Sequence, residues 1–115
     1  MITTINHQGK EILYIDYRHL GDDEMIDTIN QMKEKVLALN KPHLRLVNVS
    51  ETNASARFRT QMRQIGKEIG HIPSKVAIVG VPTSKRVVIN AYNVMIGGKM
   101  KLFDNEEDAK AYLVS

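Results

Sequence analysis

The run Val76-Ala77-Ile78-Val79-Gly80-Val81 contains no polar side chain that could face water. Strands of this composition are covered on both faces in α/β proteins, so the run predicts the central strand of a mostly parallel sheet. Pro82 follows the run, and after it come Thr83, Ser84, Lys85 and Arg86. Ligands of open α/β sheets bind beyond the carboxyl ends of strands, and this strand-to-helix turn is therefore a candidate binding site.

Two stretches have apolar residues every three or four positions, which is the spacing of amphipathic helices buried on one side. The first covers residues 22–39, with apolar positions Met25, Ile29, Met32, Val36 and Leu39. The second covers residues 54–69, with apolar positions Phe58, Met62, Ile65 and Ile69. Each set is expected to lie against the sheet.

A third helix is predicted from Lys85 to about Ile96, with Thr83 or Ser84 as its N-cap. Its expected core stripe consists of Val87, Val88, Ala91, Val94 and Met95. Further apolar surface lies on its other sides, at Ile89, Tyr92 and Ile96. A helix that is apolar around so much of its circumference needs a second partner. A neighbouring helix, a ligand pocket and a dimer interface would each satisfy that need.

The remaining predicted strands are rich in β-branched and aromatic residues and are bounded by turn residues. Residues 2–5 and 11–17 predict an antiparallel hairpin, residues 43–49 a core strand, and residues 99–103 a short last strand. Residues 104–107 resemble the start of a final helix. The element order ββαβαβαβα predicts one α/β domain over residues 1–115, with a mostly parallel mixed sheet and an antiparallel N-terminal edge strand.

Composition argues against several classes of protein. Apolar residues at 43% and charged residues at 25% are ordinary for a globular domain, and no apolar run approaches the about 20 residues of a membrane span. The N-terminal residues lack the pattern of a secretory signal, and the absence of cysteine suits a cytoplasmic protein. A net charge of only +3 with 5% aromatic residues makes nucleic-acid binding an unfavoured interpretation.

Catalytic and cofactor motifs are missing from the sequence. The four histidines, at positions 7, 19, 43 and 71, do not have the spacing of a helical metal site. Neither a nucleophile elbow nor a phosphate-binding loop is present. We therefore expect no catalytic residue, no metal site and no cofactor, and a protein that is not an enzyme.

Polar side chains collect after the predicted parallel strands. Ser50, Thr52 and Asn53 follow one strand, and the turn of residues 83–86 follows the next. The loops after parallel strands meet at one edge of a sheet, so hydroxyl groups and the cations Lys85 and Arg86 could together hold an anionic ligand. The alternative is that these residues only cap helices and form turns.

Four stretches are similar to those of a known group: residues 11–17, residues 44–50, residues 76–81, and a C-terminal stretch with Phe103-Asp104, Ala109 and Tyr112-Leu113. In these the chain resembles the SpoIIAA-like proteins, small bacterial proteins within the STAS group of anti-sigma-factor antagonists. The resemblance implies a SpoIIAA-like fold and a regulatory role. It also implies a phosphoacceptor after the third strand, for which Ser50 is the candidate, although Asn48 occupies the place of the usual Asp.

Two functional hypotheses follow. The first is a regulatory module that binds a protein partner or a second copy of itself, as a homodimer. The second, which the likeness of SpoIIAA-like proteins to lipid-transfer domains implies, is a carrier or sensor of a small apolar or anionic ligand. In that case the ligand would lie beside the third helix and contact Ile89, Tyr92 and Ile96.

Overall fold

The computed structural model describes residues 1–95 and 97–115, in the predicted order of elements. The strands are β1 (Ile2–His7), β2 (Lys10–Asp16), β3 (Leu44–Asn48), β4 (Lys75–Val79) and β5 (Met100–Phe103). The helices are α1 (Asp22–Leu39), α2 (Ala56–Ile69), α3 (Thr83–Met95) and α4 (Glu106–Val114). None of these helices has both the length and the hydropathy to cross a bilayer.

The five strands form one sheet in the order β1-β2-β3-β4-β5. β1 pairs with β2 in antiparallel fashion, and every later pair is parallel. The predicted mixed sheet with an antiparallel N-terminal edge strand is thus confirmed. The prediction that the apolar run 76–81 forms the central strand is wrong, because β3 is central and β4 lies between it and the edge strand β5.

Helices cover the two faces of the sheet unequally. α1 and α2 pack on one face, where their apolar stripes join Leu13, Ile15 and Tyr17 in a buried core. The α4 residues Ala109 and Leu113 pack on the other face, in a second core. Strand alternation explains the division, since successive side chains point to opposite faces. Arg45 and Val47 of β3 therefore share the face of α1 and α2, whereas Leu46 lies among the α4 contacts.

Helix α3 differs from its prediction in two ways. It begins at Thr83, so Thr83 and Ser84 lie in its first turn and do not precede it as N-cap residues. The described part of α3 also has no buried side chain, and the predicted core stripe is therefore wrong. Val87, Val88, Val94 and Met95 are between 70% and 83% exposed, and Ala91 is also exposed. Ile96 lies outside the described residues.

The apolar stripes of α1 and α2 also differ slightly from their predictions, each at one residue. Met25, Ile29, Met32 and Val36 of α1 are buried as predicted, whereas Leu39 is exposed in the last turn. In α2, Phe58, Ile65 and Ile69 are buried, but Met62 is partly exposed. Met62 lies on the side of α2 that faces α3, where the two helices do not close together.

Candidate ligand-binding cleft

A cleft of about 720 Å³ lies between α2, α3 and the sheet. It exists because α3 stands away from the sheet and leaves part of β3 and β4 uncovered. Its apolar lining comes from Val47, Val76 and Ile78 of the strands, Phe58, Met62 and Ile65 of α2, and Val88, Ile89 and Tyr92 of α3. A volume of this size is within the range of about 300–1,000 Å³ that is typical of small-molecule sites.

One hydrogen bond ties the two helices together across the cleft. The hydroxyl group of Tyr92 on α3 donates to the backbone oxygen of Arg63 on α2 at 2.6 Å. Tyr92 itself lines the cleft, so the same side chain supplies apolar surface and holds the helices at a fixed separation. This arrangement suits a cleft that stays open between α2 and α3.

Two buried polar residues also line the cleft, namely Arg45 of β3 and Tyr17 after β2. Arg45 is 7% exposed and Tyr17 is 3% exposed. Burial raises the pKa of the Tyr17 hydroxyl well above its usual value, and the charge of Arg45 opposes that rise. The phenol of Tyr17 is therefore neutral at physiological pH. It meets Phe58 edge to face, with ring centroids 5.3 Å apart.

The guanidinium group of Arg45 is bound to a histidine ring. Its Nε and Nη2 lie 3.3 and 3.1 Å from Nε2 of His43. A guanidinium group only donates, so the ring nitrogen must accept and His43 is neutral. Burial and the nearby charge of Arg45 both lower the pKa of His43, which agrees with this assignment.

Cations outnumber acids around the cleft. Its lining residues include Arg45, Arg59, Arg63, Lys85 and Lys99, and Glu51 is the one acidic residue among those described there. Such a distribution attracts anionic molecules toward an apolar interior. No group of three or more His, Asp or Glu side chains in the described ranges is placed to hold a metal ion.

The fold of the chain has a counterpart among solved structures. A crystal structure of an uncharacterised DUF3478-family protein from Shewanella loihica PV-4, described as having a SpoIIAA-like fold, matches with a TM-score of 0.73. The match covers 98% of this chain and 92% of that chain. The fold is SpoIIAA-like. At 16% sequence identity the likeness shows the fold alone. No family model matches the sequence, and neither does any curated protein.

The SpoIIAA-like fold brings about half of the predicted site residues to the cleft. Thr52, Ser84, Lys85, Ile89 and Tyr92 all line it. Three residues of the predicted cluster at the carboxyl edge and two residues of the predicted apolar surface beside α3 therefore line the same cleft. The expectation for Ile96 concerns a residue outside those described.

The other predicted residues lie elsewhere. Arg86 donates to the Val81 backbone oxygen and forms an ion pair with Asp104 at 2.6 Å, so its charge is already compensated. Asn53 and Thr83 are exposed and are not among the lining residues.

Ser50 lies behind the cleft and against β4. Its backbone N–H donates to the side-chain oxygen of Asn48 at 2.9 Å, and its Cα lies under Gly80. The side-chain amide of Asn48 in turn donates to Glu106 of α4 at 2.7 Å. Asn48 thus connects the Ser50 turn to the opposite face of the sheet. Phosphorylation of Ser50 stays a prediction.

Glu106 belongs to a polar cluster on the α4 face. It also accepts a short hydrogen bond from the Tyr14 hydroxyl, and burial together with Glu106 raises the pKa of Tyr14 to about 12. The side chain of Arg18 binds Asp16 through two nitrogen atoms, and this lowers the pKa of Asp16. All these groups have partners within the fold, so the cluster fastens α4 to the sheet.

Arg45 and Tyr17 were not selected from the sequence. A signal for Arg45 was present, because it occupies the same strand face as Val47 and Val49, between residues that point to the other face. A cation on the inward face of a core strand is rare and calls for a partner. Tyr17 had no such signal, since an aromatic residue at the end of a strand is ordinary.

Proposed function

We propose that this protein is a non-enzymatic binding module that carries or senses a small, largely apolar molecule in the cleft between α2 and α3. The observation that supports this function is the cleft itself, with its volume of about 720 Å³ and its predominantly apolar walls. An apolar ligand there would cover the apolar surface that Val88, Ile89 and Tyr92 of α3 contribute to the cleft.

Binding of 1-dodecanol, a neutral hydrocarbon chain, tests this function. Native mass spectrometry should show one molecule bound per chain, and thermal unfolding should shift upward, since a ligand that binds only the folded state stabilises it. Failure of the wild-type protein to bind dodecanol or any co-purifying apolar molecule would contradict the proposal.

Site-directed filling of the cleft locates the binding. Ile78 lines the cleft from β4, so Ile78→Trp should occupy the space and reduce dodecanol binding strongly. Leu37 is half exposed on α1 and does not line the cleft, which makes Leu37→Trp a matched control that should bind as the wild type does. Equal loss in both variants would argue for binding elsewhere.

A second candidate function, a regulatory module that acts through protein contacts, is favoured by the outer side of α3. Residues 87–95 contain no charged side chain, and Val87, Val94 and Met95, which do not line the cleft, are between 78% and 83% exposed. An uncharged apolar face can pair with itself about a two-fold axis without like-charge repulsion. The partner we propose in this case is a second copy of the chain.

Oligomeric state tests that candidate. Light scattering should show a dimer for the wild type and a monomer for Val94→Glu, which puts a charge at the centre of the face. Leu37→Glu on α1 introduces the same charge at another exposed apolar position and should leave the dimer intact. A wild-type protein that is monomeric at high concentration would remove this candidate.

A further inference from the structure

Arg45 is a buried cation that has no carboxylate partner among the described residues. Arg45 is 7% exposed, and none of the ion pairs found in residues 1–95 and 97–115 includes it. Its guanidinium group contacts His43, which is neutral. Buried charges in proteins are normally paired, because removal of a charge from water is costly.

Arg45 nevertheless remains a cation. Burial lowers its pKa to about 10, which still leaves the guanidinium group protonated at neutral pH. The guanidinium group has five N–H donors, and within residues 1–95 and 97–115 its one hydrogen-bond acceptor is the ring nitrogen of His43. The guanidinium group therefore has N–H donors that are not used and a charge that is not compensated. Arg45 also lines the apolar cleft.

We infer that the ligand of the cleft is an amphipathic anion, a hydrocarbon chain that ends in a single oxyanion group, and that Arg45 binds this head group. The inference rests on the proposed function, because it names the chemical class of molecule that the same cleft takes. A planar guanidinium group matches the geometry of carboxylate and phosphate oxygens, so both head groups belong to the proposed class.

The register of the sheet indicates how such a molecule would lie. In the parallel pair of β3 and β4, Arg45 is the partner of Val76 and Val47 is the partner of Ile78. The second pair lies two residues nearer the carboxyl ends of the strands. All four residues line the cleft. A head group at Arg45 would therefore place the hydrocarbon chain along Val47 and Ile78, between α2 and α3.

The test compares three ligands with the same twelve-carbon chain: laurate and dodecyl phosphate, each below its critical micelle concentration, and 1-dodecanol, below its solubility limit. The wild-type protein should bind at least one of the two anions roughly 10- to 100-fold more tightly than the alcohol, which is the range for hydrogen bonds to a charged group. Preference for laurate or for dodecyl phosphate then identifies the head group.

Variants of Arg45 connect the preference to this residue. Arg45→Met should keep dodecanol binding, which also shows that the variant is folded, and should lose the preference for the anion. Arg45→Gln, which retains a polar group beside His43, should show the same loss. Arg57→Met changes the net charge equally on the outer side of α2 and should keep the preference, since Arg57 pairs with Asp22 and Asp23 outside the cleft.

The outcomes separate the two proposals. Equal affinity of the wild type for dodecanol and both anions would overturn the role of Arg45 and leave the apolar site in place. An anion preference that survives in Arg45→Met would overturn it as well. Absence of binding by all three ligands would instead contradict the proposed function from which the inference starts.

Discussion

Arg45 should reduce the stability of the free protein. A charged group that is nine-tenths buried without a carboxylate partner has lost hydration without full compensation. We predict that Arg45→Met raises the free energy of unfolding by up to about 4 kcal/mol, the upper end of the gain when buried ion pairs are replaced by well-packed apolar residues. Urea denaturation of the unliganded protein measures this change.

Arg57→Met serves as the reference for the stability of Arg45→Met. Arg57 is a largely exposed residue in surface ion pairs, so its replacement should change the free energy of unfolding by less than about 1 kcal/mol, and in the destabilising direction. A marked loss of stability in Arg45→Met would show that the guanidinium group is a structural element of the fold. It would then have no surplus charge for a ligand.

His43 should make stability depend on mildly acidic pH. Burial and Arg45 lower its pKa in the folded state below the unfolded value of about 6.5. Between these two pKa values the unfolded state binds more protons, so stability falls as pH drops below about 6.5 toward the folded pKa. The contribution of His43 is fully present above the unfolded pKa.

Comparison of unfolding free energies at pH 7.5 and pH 5.5 measures the His43 effect. His43→Gln should lose less stability over this interval than the wild type does. His71→Gln is the control, because His71 is an exposed residue of the loop after α2 and should show the wild-type difference. Identical pH dependence in all three proteins would contradict the assignment of a neutral, acceptor His43.

Gly80 should tolerate no side chain. Its φ is +94°, and a Cβ atom there would lie 2.5 Å from the Ser50 backbone nitrogen and 2.6 Å from its Cα. Gly9 also has a positive φ, of +79°, but a Cβ atom would meet nothing within 4 Å. Gly9→Ala should therefore lower the free energy of unfolding by about 1–2 kcal/mol, the cost of a positive φ for a residue with a Cβ atom. Gly80→Ala should lower it distinctly more. Thermal or urea unfolding measures both, and equal losses would contradict the close approach to Ser50.

At the scale of elements, α3 should be the most easily opened helix. It has no buried side chain in its described part, whereas α1 and α2 contribute most of one core. Amide hydrogen exchange in α3 should accordingly be faster than in α1 or α2, and dodecanol should slow it selectively. Exchange in α3 as slow as in α1, without ligand, would contradict this expectation.

Periodicity predicted the elements well because it reports how each segment meets a core. The spacing of the apolar residues from Met25 to Val36 predicted the buried side of α1, and the predicted bounds 22–39 agree with the structure. The same reasoning gave α3 a buried stripe that it does not have, since its apolar residues border a cleft and solvent. A single sequence cannot distinguish apolar surface covered by its own fold from apolar surface left for another molecule.

The candidate site was predictable only in part for a related reason. Thr52, Ser84 and Lys85 could be placed together because loops after parallel strands meet at one edge. The position of Arg45 in the cleft could not be predicted, because it depends on which side chains of other elements pack around the guanidinium group and which do not. That information comes from packing between α2 and α3, two helices separated by a complete strand.

For the whole molecule, the sequential strand order has a consequence for how the sheet can form during folding. Each strand pairs with its neighbour in the chain, so no strand must be inserted between two that have already paired. The sheet can therefore grow by addition at one edge, from the β1–β2 hairpin toward β5, with loops of similar closure entropy at each parallel step. The cleft between α2, α3 and the sheet, which needs β4 and α3, would then be completed only after the first core has formed.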